Sequence, residues 1–162
     1  MKRKQIIAII LIFISLQANG QNDKPKNSVF FELGGMAEIM SLNYDRSLYL
    51  SDTIGFSIGI GFSPLFIIGE GTLSVPIQAK FFYQFGKHSI EGGMGFTILG
   101  DAGTGNEPEI PLDIGIFAQA GYKHSIINDR FYAGIAFTPY LGRIKRGFDF
   151  FPWGALRFGY KF

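Results

Sequence analysis

Along most of the chain, large apolar residues recur at every second position, the period of a β-strand with two unlike faces. The clearest stretch sets Ile54, Phe56, Ile58, Ile60 and Phe62 against Gly55, Ser57, Gly59 and Gly61, so that one face is bulky and the other tiny. Val75, Ile77, Ala79, Phe81 and Tyr83 alternate with Gln78, Lys80, Phe82 and Gln84. Ile90, Met94, Phe96 and Ile98 do the same against Glu91, Gly93, Gly95 and Thr97. Leu112, Ile114, Ile116, Ala118 and Tyr122 oppose Asp113, Gly115, Gln119 and Lys123, and Phe131, Ala133, Ile135 and Phe137 oppose Tyr132, Gly134, Ala136 and Thr138. The C-terminus closes the series with Leu156, Phe158, Tyr160 and Phe162 against Arg157, Gly159 and Lys161. Two strands come first, over 29–35 and 37–49, with Glu32, Ser41, Asn43 and Asp45 on the polar side. The pattern predicts eight strands.

The connections also alternate. Those after strands two, four and six, around Ser51-Asp52, Gly86-Lys87 and Ile127-Asn128, are tight, whereas those after strands three, five and seven (66–72, 100–111 and 142–149) are longer. Short turns on one rim and long loops on the other are the layout of a membrane barrel, with the short side in the periplasm. A water-soluble sandwich would bury its large apolar side chains. Here the polar face is so rich in glycine that it makes a poor solvent face and a good crowded lumen, because eight-stranded barrels have interiors that side chains just fill. The expected fold is all-β: an eight-stranded antiparallel up-and-down transmembrane β-barrel over residues 29–162. Tyr44, Tyr49, Tyr83, Phe85, Tyr122, Phe131, Tyr160 and Phe162, near strand ends on one rim, read as a girdle at the periplasmic interface.

Composition changes the picture mainly at the N-terminus. Lys2-Arg3-Lys4, the apolar run Ile6 to Leu16 and the small residues up to Gly20 have the layout of a secretory signal peptide over 1–20, which leaves 21–28 as a periplasmic N-terminal segment. At ~1.5 Å per residue the apolar run reaches roughly 17 Å, too little to cross a ~30 Å hydrocarbon core as a helix. The formal charge of +2 owes three positive groups to this segment, so the remainder carries 12 basic against 13 acidic residues and offers no electrostatic footprint for nucleic acid. With no cysteine, a disulfide scaffold or a thiolate-ligated metal is excluded. Export and a barrel together place the chain in the outer membrane of a Gram-negative bacterium.

The terminal run PWGALRFGYKF (152–162), ending on Phe after alternating aromatics, resembles the C-terminal strand signal recognised by outer-membrane assembly machinery, with Phe158, Tyr160 and Phe162 as its signal residues. SLNYDRSL (41–48), VPIQAKFFYQFGKHSIEGGMGF (75–96), AGYKHS (120–125) and FTPY (137–140) complete a pattern similar to the small outer-membrane β-barrel proteins of Bacteroidota, of OmpA or opacity type. The resemblance implies a barrel without a separate peptidoglycan-binding domain. Its motifs are strand patterns, which specify fold and location rather than chemistry.

The inward set holds Glu32, Lys80, Glu91, Asp113, Lys123, Arg157 and Lys161, three acids and four bases. Buried charges in so narrow a space must be paired, so near balance favours a lumen closed by ion pairs over a conducting pore. His88-Ser89 and His124-Ser125 invite a hydrolase reading, that of an enzyme deacylating lipid A in the outer leaflet. Neighbours in a strand point to opposite faces, however, and both dipeptides fall at periplasmic turns. No catalytic, metal-binding or cofactor-binding residue is assigned. Arg143, Lys145 and Arg146 in the last outer loop suit lipopolysaccharide phosphates, and apolar Phe66-Ile67-Ile68 suits a larger protein partner. The expected role is non-enzymatic, structural or accessory.

Overall fold

The computed structural model describes residues 24–37, 39–63, 72–101, 113–143 and 147–162, with backbone alone at 72, 101, 143, 147 and 148. Ten strand segments form one antiparallel sheet: β1 (Asn27–Gly34), β2 (Met40–Tyr49), β3 (Ile54–Phe62), β4 (Thr72–Phe85), β5 (His88–Asp101), β6 (Asp113–Ser125), β7 (Phe131–Phe137), β8 (Tyr140–Arg143), β9 (Gly147–Phe151) and β10 (Gly154–Lys161). Neighbours run β5-β4-β3-β2-β1-β10-β7-β6, and β5 pairs with β6 to close the ring. The seam is β1 against β10, Ser28 opposite Lys161, continued where the amide of Phe162 donates to the carbonyl of Asn27 at 2.8 Å.

Ten segments make eight barrel strands. β6 pairs with β7 through residues 120–125 and with β8 through residues 115–117, so β7 and β8 are one strand interrupted at Thr138-Pro139. β9 and β10 are likewise one strand broken at Pro152-Trp153. Proline has no N–H to give the ladder, and each break contains one. The fold is thus an all-β, closed, eight-stranded antiparallel barrel.

Element ends depart from the alternation in a consistent direction, because paired backbone continues where the pattern of side chains fades. β1 starts at Asn27, inside the segment expected to precede the barrel. β4 and β5 reach Thr72 and Asp101, and the β8–β9 hairpin takes up most of the expected loop at 142–149. Residues 35–37, where strand one was expected to end and strand two to begin, instead form a 3-10 turn that folds into the barrel. The signal segment 1–20 and Phe66-Ile67-Ile68 lie outside the described residues. The tight connections are where they were expected. Phe85 pairs with His88 across a two-residue turn whose Gly86 has φ +59°, the left-handed conformation glycine adopts without strain.

Burial runs opposite to that of a water-soluble barrel. Lys80, Arg157 and Glu32 are 0%, 1% and 2% exposed, while Met94 and Phe81 are 68% and 61% exposed. Exposed large apolar side chains come from every one of the eight barrel strands. Lower on this surface the girdle aromatics touch one another: Tyr83 with Phe85 at 5.9 Å between ring centroids, Phe131 with Tyr160 at 4.9 Å, Tyr160 with Phe162 at 6.2 Å. Tyr49 does not belong to this girdle. It shares the inward parity of Asp45 and Ser47, packs edge-on against Phe82 at 5.4 Å, and donates its hydroxyl to the carbonyl of Pro25. On the same rim Lys24 grips the β2–β3 turn, its ammonium 2.9 Å from the exposed Asp52 carboxylate, whose pKa it lowers through that hydrogen bond and its charge.

The exterior makes a direct test possible. Met94 lies midway along β5, opposite Ala79 and Ala118. In a lipid-embedded barrel Met94→Arg costs about 2–4 kcal/mol of folding free energy; on a water-facing surface the same change stays within about 0.5 kcal/mol. Urea titration of the barrel folded into lipid vesicles distinguishes the two.

Candidate functional site

The polar interior is organised around one carboxylate. Glu91, on β5, pairs with Arg157 Nη1, with Lys123 Nζ at 2.7 Å and with Lys80 Nζ at 3.9 Å. Arg157 turns its Nε to Glu32 at 2.5 Å and donates through Nη2 to Gln119 Oε1 at 2.8 Å. Gln119 Nε2 donates to Gln78 Oε1 at 3.0 Å, and Gln78 Nε2 to Asp45 Oδ1 at 3.1 Å. Asp45 accepts from Lys80 at 2.5 Å, which returns the path to Glu91. The result is a closed loop of side chains linking β2, β4, β5, β6 and β10, with Glu32 of β1 attached through Arg157. Its charged members are three acids (Glu32, Asp45, Glu91) and three bases (Lys80, Lys123, Arg157), so the cluster is neutral.

Local sequence makes room for this loop. At its level β3 contributes Gly59, opposite both Asp45 and Gln78, and β7 contributes Gly134, opposite both Arg157 and Lys123. A Cβ at Gly59 would collide with the Asp45 carboxylate. Phe30 stands among the cations, its ring centroid 5.2 Å from Lys80 Nζ, 5.6 Å from Arg157 Cζ and 5.7 Å from Lys123 Nζ. Its π-face gives the three positive groups a further favourable neighbour in a dry space.

Five of the seven charges expected in the lumen, Glu32, Lys80, Glu91, Lys123 and Arg157, meet here. Lys161 sits nearer the rim of short turns, donating to Ser125 Oγ at 3.0 Å and facing the Tyr132 ring. Asp113 is separate: it begins β6 at the outer end, opposite Leu99, and its carboxylate accepts from the amide of Ile114. Strand parity places a residue on a face but not at a height, and Asp113 differs in height. Asp45 belongs to the cluster although it was read only as a polar-face residue of strand two. The tight β2–β3 turn puts Tyr49 opposite Gly55 and hence Asp45 opposite Gly59, a register countable from sequence. Phe30 gave no comparable signal, since a bulky aromatic is expected to face lipid.

The cluster is sealed at one end and opens to a small pocket at the other. Above it the 3-10 turn Gly35–Ala37 is fully tucked in: the Met36 amide donates to Glu32 Oε1 at 3.3 Å, and Thr97 Oγ1 donates to the Met36 carbonyl at 2.7 Å. The Met36 methyl occupies the space a Cβ on Gly95 would need. Below it a pocket of about 40 Å³, lined in part by Asp45, Glu91 and Lys123, lies toward the rim of short turns.

The histidines lie elsewhere. His88 and His124 face each other across β5 and β6 on the outside of the barrel, Nδ1 to Nδ1 3.4 Å apart, with Tyr122 Oη 2.5 Å from His88 Nδ1. Ser89 and Ser125 have the opposite parity and point inward. Lys145 and Arg146, and the Arg143 side chain, lie outside the described residues. Phe158, Tyr160 and Phe162 project outward beside the β1–β10 seam.

Comparison with known proteins supports the architecture alone. No family model matches the chain, and no curated protein matches it. It is similar to the crystal structure of the N-terminal β-barrel domain of Pseudomonas aeruginosa OprF, with a TM-score of 0.56 and 13% identity over 86% of this chain and 100% of that one. It is also similar to the solution NMR structure of the de novo designed TMB2.3, with a TM-score of 0.50 and 11% identity over 88% and 98% of the two chains. At such identity the likeness is one of fold.

The cluster makes Glu91 the residue whose loss is felt most. Glu91→Gln leaves Lys123 and part of Arg157 uncompensated and lowers stability by about 3–5 kcal/mol, whereas replacing Lys80 and Asp45 together by Met and Leu stays within about 1 kcal/mol of the parent. Equilibrium urea unfolding of both variants, followed by the heat-dependent gel migration of folded barrels, measures the difference.

Proposed function

We propose that the chain is an exported outer-membrane β-barrel of a Gram-negative bacterium, structural or accessory rather than enzymatic, with a lumen closed by its own ion pairs. The observation that carries this reading is the inverted burial: a neutral cluster of six charged groups inside and an apolar belt on all eight strands outside. Residues 1–20 act as its signal peptide. Phe158, Tyr160 and Phe162 present the outward face of the last strand to the assembly machinery. Arg143, Lys145 and Arg146 meet lipopolysaccharide phosphates, with a larger outer-membrane protein as the accessory partner.

The geometry weighs against the two other readings. A deacylase acting on outer-leaflet lipid needs a Ser–His pair at the outer rim, yet His88 and His124 sit in the periplasmic girdle with their neighbouring serines on the far side of the wall. A pore needs a continuous passage, yet the Arg157–Glu91–Lys80 crossing and the Met36 turn fill the bore. Purified barrel in a planar bilayer is therefore expected to give no steady unitary conductance, and the full chain expressed in a Gram-negative host to appear in the outer-membrane fraction as a heat-modifiable band. Steady conductance would promote the pore. A chain that stays monodisperse in buffer without detergent would sink the membrane assignment itself.

A further inference from the structure

We infer that His88 and His124 form a binding site for a divalent transition-metal ion of zinc type, on the outside of the barrel at the rim of short turns. The two residues are 36 positions apart, so no spacing in the sequence announces them. The β5–β6 register brings them face to face. The amide of Ser125 donates to the carbonyl of Lys87 at 2.7 Å. The next pair along, His124 and His88, is therefore a non-hydrogen-bonded one, the kind whose side chains stand closest. The rings tilt by 42° with centroids 4.8 Å apart, and they turn like nitrogens toward each other, Nδ1 to Nδ1 at 3.4 Å.

That spacing is long for a hydrogen bond, which ordinarily spans about 2.7–3.2 Å. It is the spacing a metal imposes: an ion ~2.0–2.1 Å from each of two nitrogens, at the tetrahedral angle, holds them roughly 3.3–3.4 Å apart. An interfacial girdle calls for amphipathic rings such as Tyr and Trp; it does not call for two imidazoles facing through their nitrogens. The His88 ring is already held, stacked on Phe85 at 5.5 Å and leaning on Tyr122 at 5.9 Å, so binding costs it little freedom. Tyr122 Oη lies 2.5 Å from His88 Nδ1, too near for both to be ligands of one ion where they stand. Tyr122 is 37% exposed, and swinging outward frees the Nδ1 lone pair. Both histidines are half-buried at strand ends, His88 opening β5 and His124 next to last in β6, within reach of ions in water. Imidazole nitrogens suit zinc, copper and nickel, whereas magnesium and calcium take oxygen ligands. Water fills the positions that the two rings leave open.

Zinc chloride titrated calorimetrically into the folded, untagged full chain, in an uncharged maltoside detergent and a non-chelating buffer, should show one saturable site. His88→Ala and His124→Ala should each weaken it by at least ~10-fold, since losing even an outer-shell partner of a metal ligand typically costs about 10–100-fold. The double variant should lose little more than either single one, because a lone imidazole no longer chelates. Normal heat-modifiable migration shows that each variant folds. Mg²⁺ in large excess should not compete. Imidazole ¹⁵N spectra of the parent should show Zn²⁺ shifting Nδ1 of both rings, a readout that does not depend on any variant. Cu²⁺ binding more tightly than Zn²⁺ would support the site, that being the order for nitrogen ligands. No saturable heat, an affinity unchanged in either single variant, competition by Mg²⁺, or coordination through Nε2 would each overturn the inference.

Discussion

Glu91 cannot be a carboxylate in the middle of this barrel without neighbours of opposite charge, and that constraint organises the interior. Taking an ion out of water costs several kcal/mol, which only good geometry and complete hydrogen bonding offset. Three cations converge on Glu91, so two further carboxylates are needed, Glu32 for Arg157 and Asp45 for Lys80. Gln78 and Gln119 then use the donors and acceptors left over and join the two halves. Because the members come from six of the eight barrel strands, the same side chains that neutralise one another also hold the cross-section together. The remaining two strands bring Gly59 and Gly134 to this level, where a Cβ on Gly59 would strike the Asp45 carboxylate and one on Gly134 the backbone carbonyl of Tyr122. The alternation of bulky and tiny residues on β3 has a physical cause on each face: lipid on one, a crowded ring of charges on the other.

How much of this was legible follows from what period two can and cannot encode. Parity assigns faces: Glu32, Lys80, Glu91, Lys123 and Arg157 lie on the inner one, and Ser89 and Ser125 lie on the face opposite His88 and His124. The tight turns encode register within a hairpin, which is why Asp45 opposite Gly59 was available to counting. Height across hairpins is different. Whether Glu91 of β5 meets Arg157 of β10 or the more distant Lys161 depends on how the whole sheet is sheared on closure, and no local pattern carries that. Asp113 and Lys161 missed the cluster for this reason. Phe30 was illegible for another: its value in the lumen comes from three cations that arrive from other strands.

The outer third of the barrel follows rules that alternation does not express. The first outer connection is short and nearly apolar, and it folds inward because Met36 finds the space over Gly95 while its backbone finds Thr97 and Glu32. A turn buried without those partners would leave polar groups unsatisfied. Pro139 and Pro152 break the last two barrel strands at neighbouring heights, with the amide of Thr138 still donating to the carbonyl of Trp153 across the gap. Backbone regularity is thus given up at the outer rim, and retained where the charges are.

These two regions divide the labour of the fold. The inner cluster is neutral and largely buried, and its contribution is to tie six strands together. A wall held so firmly can carry an irregular, partly open rim above it, since the rim need not hold the barrel shut. On that rim Phe117 of β6, Tyr140 of β8, Phe151 of β9 and Trp153 of the strand break surround a cavity. A barrel whose core is tied across six strands can leave that rim irregular without opening the ring.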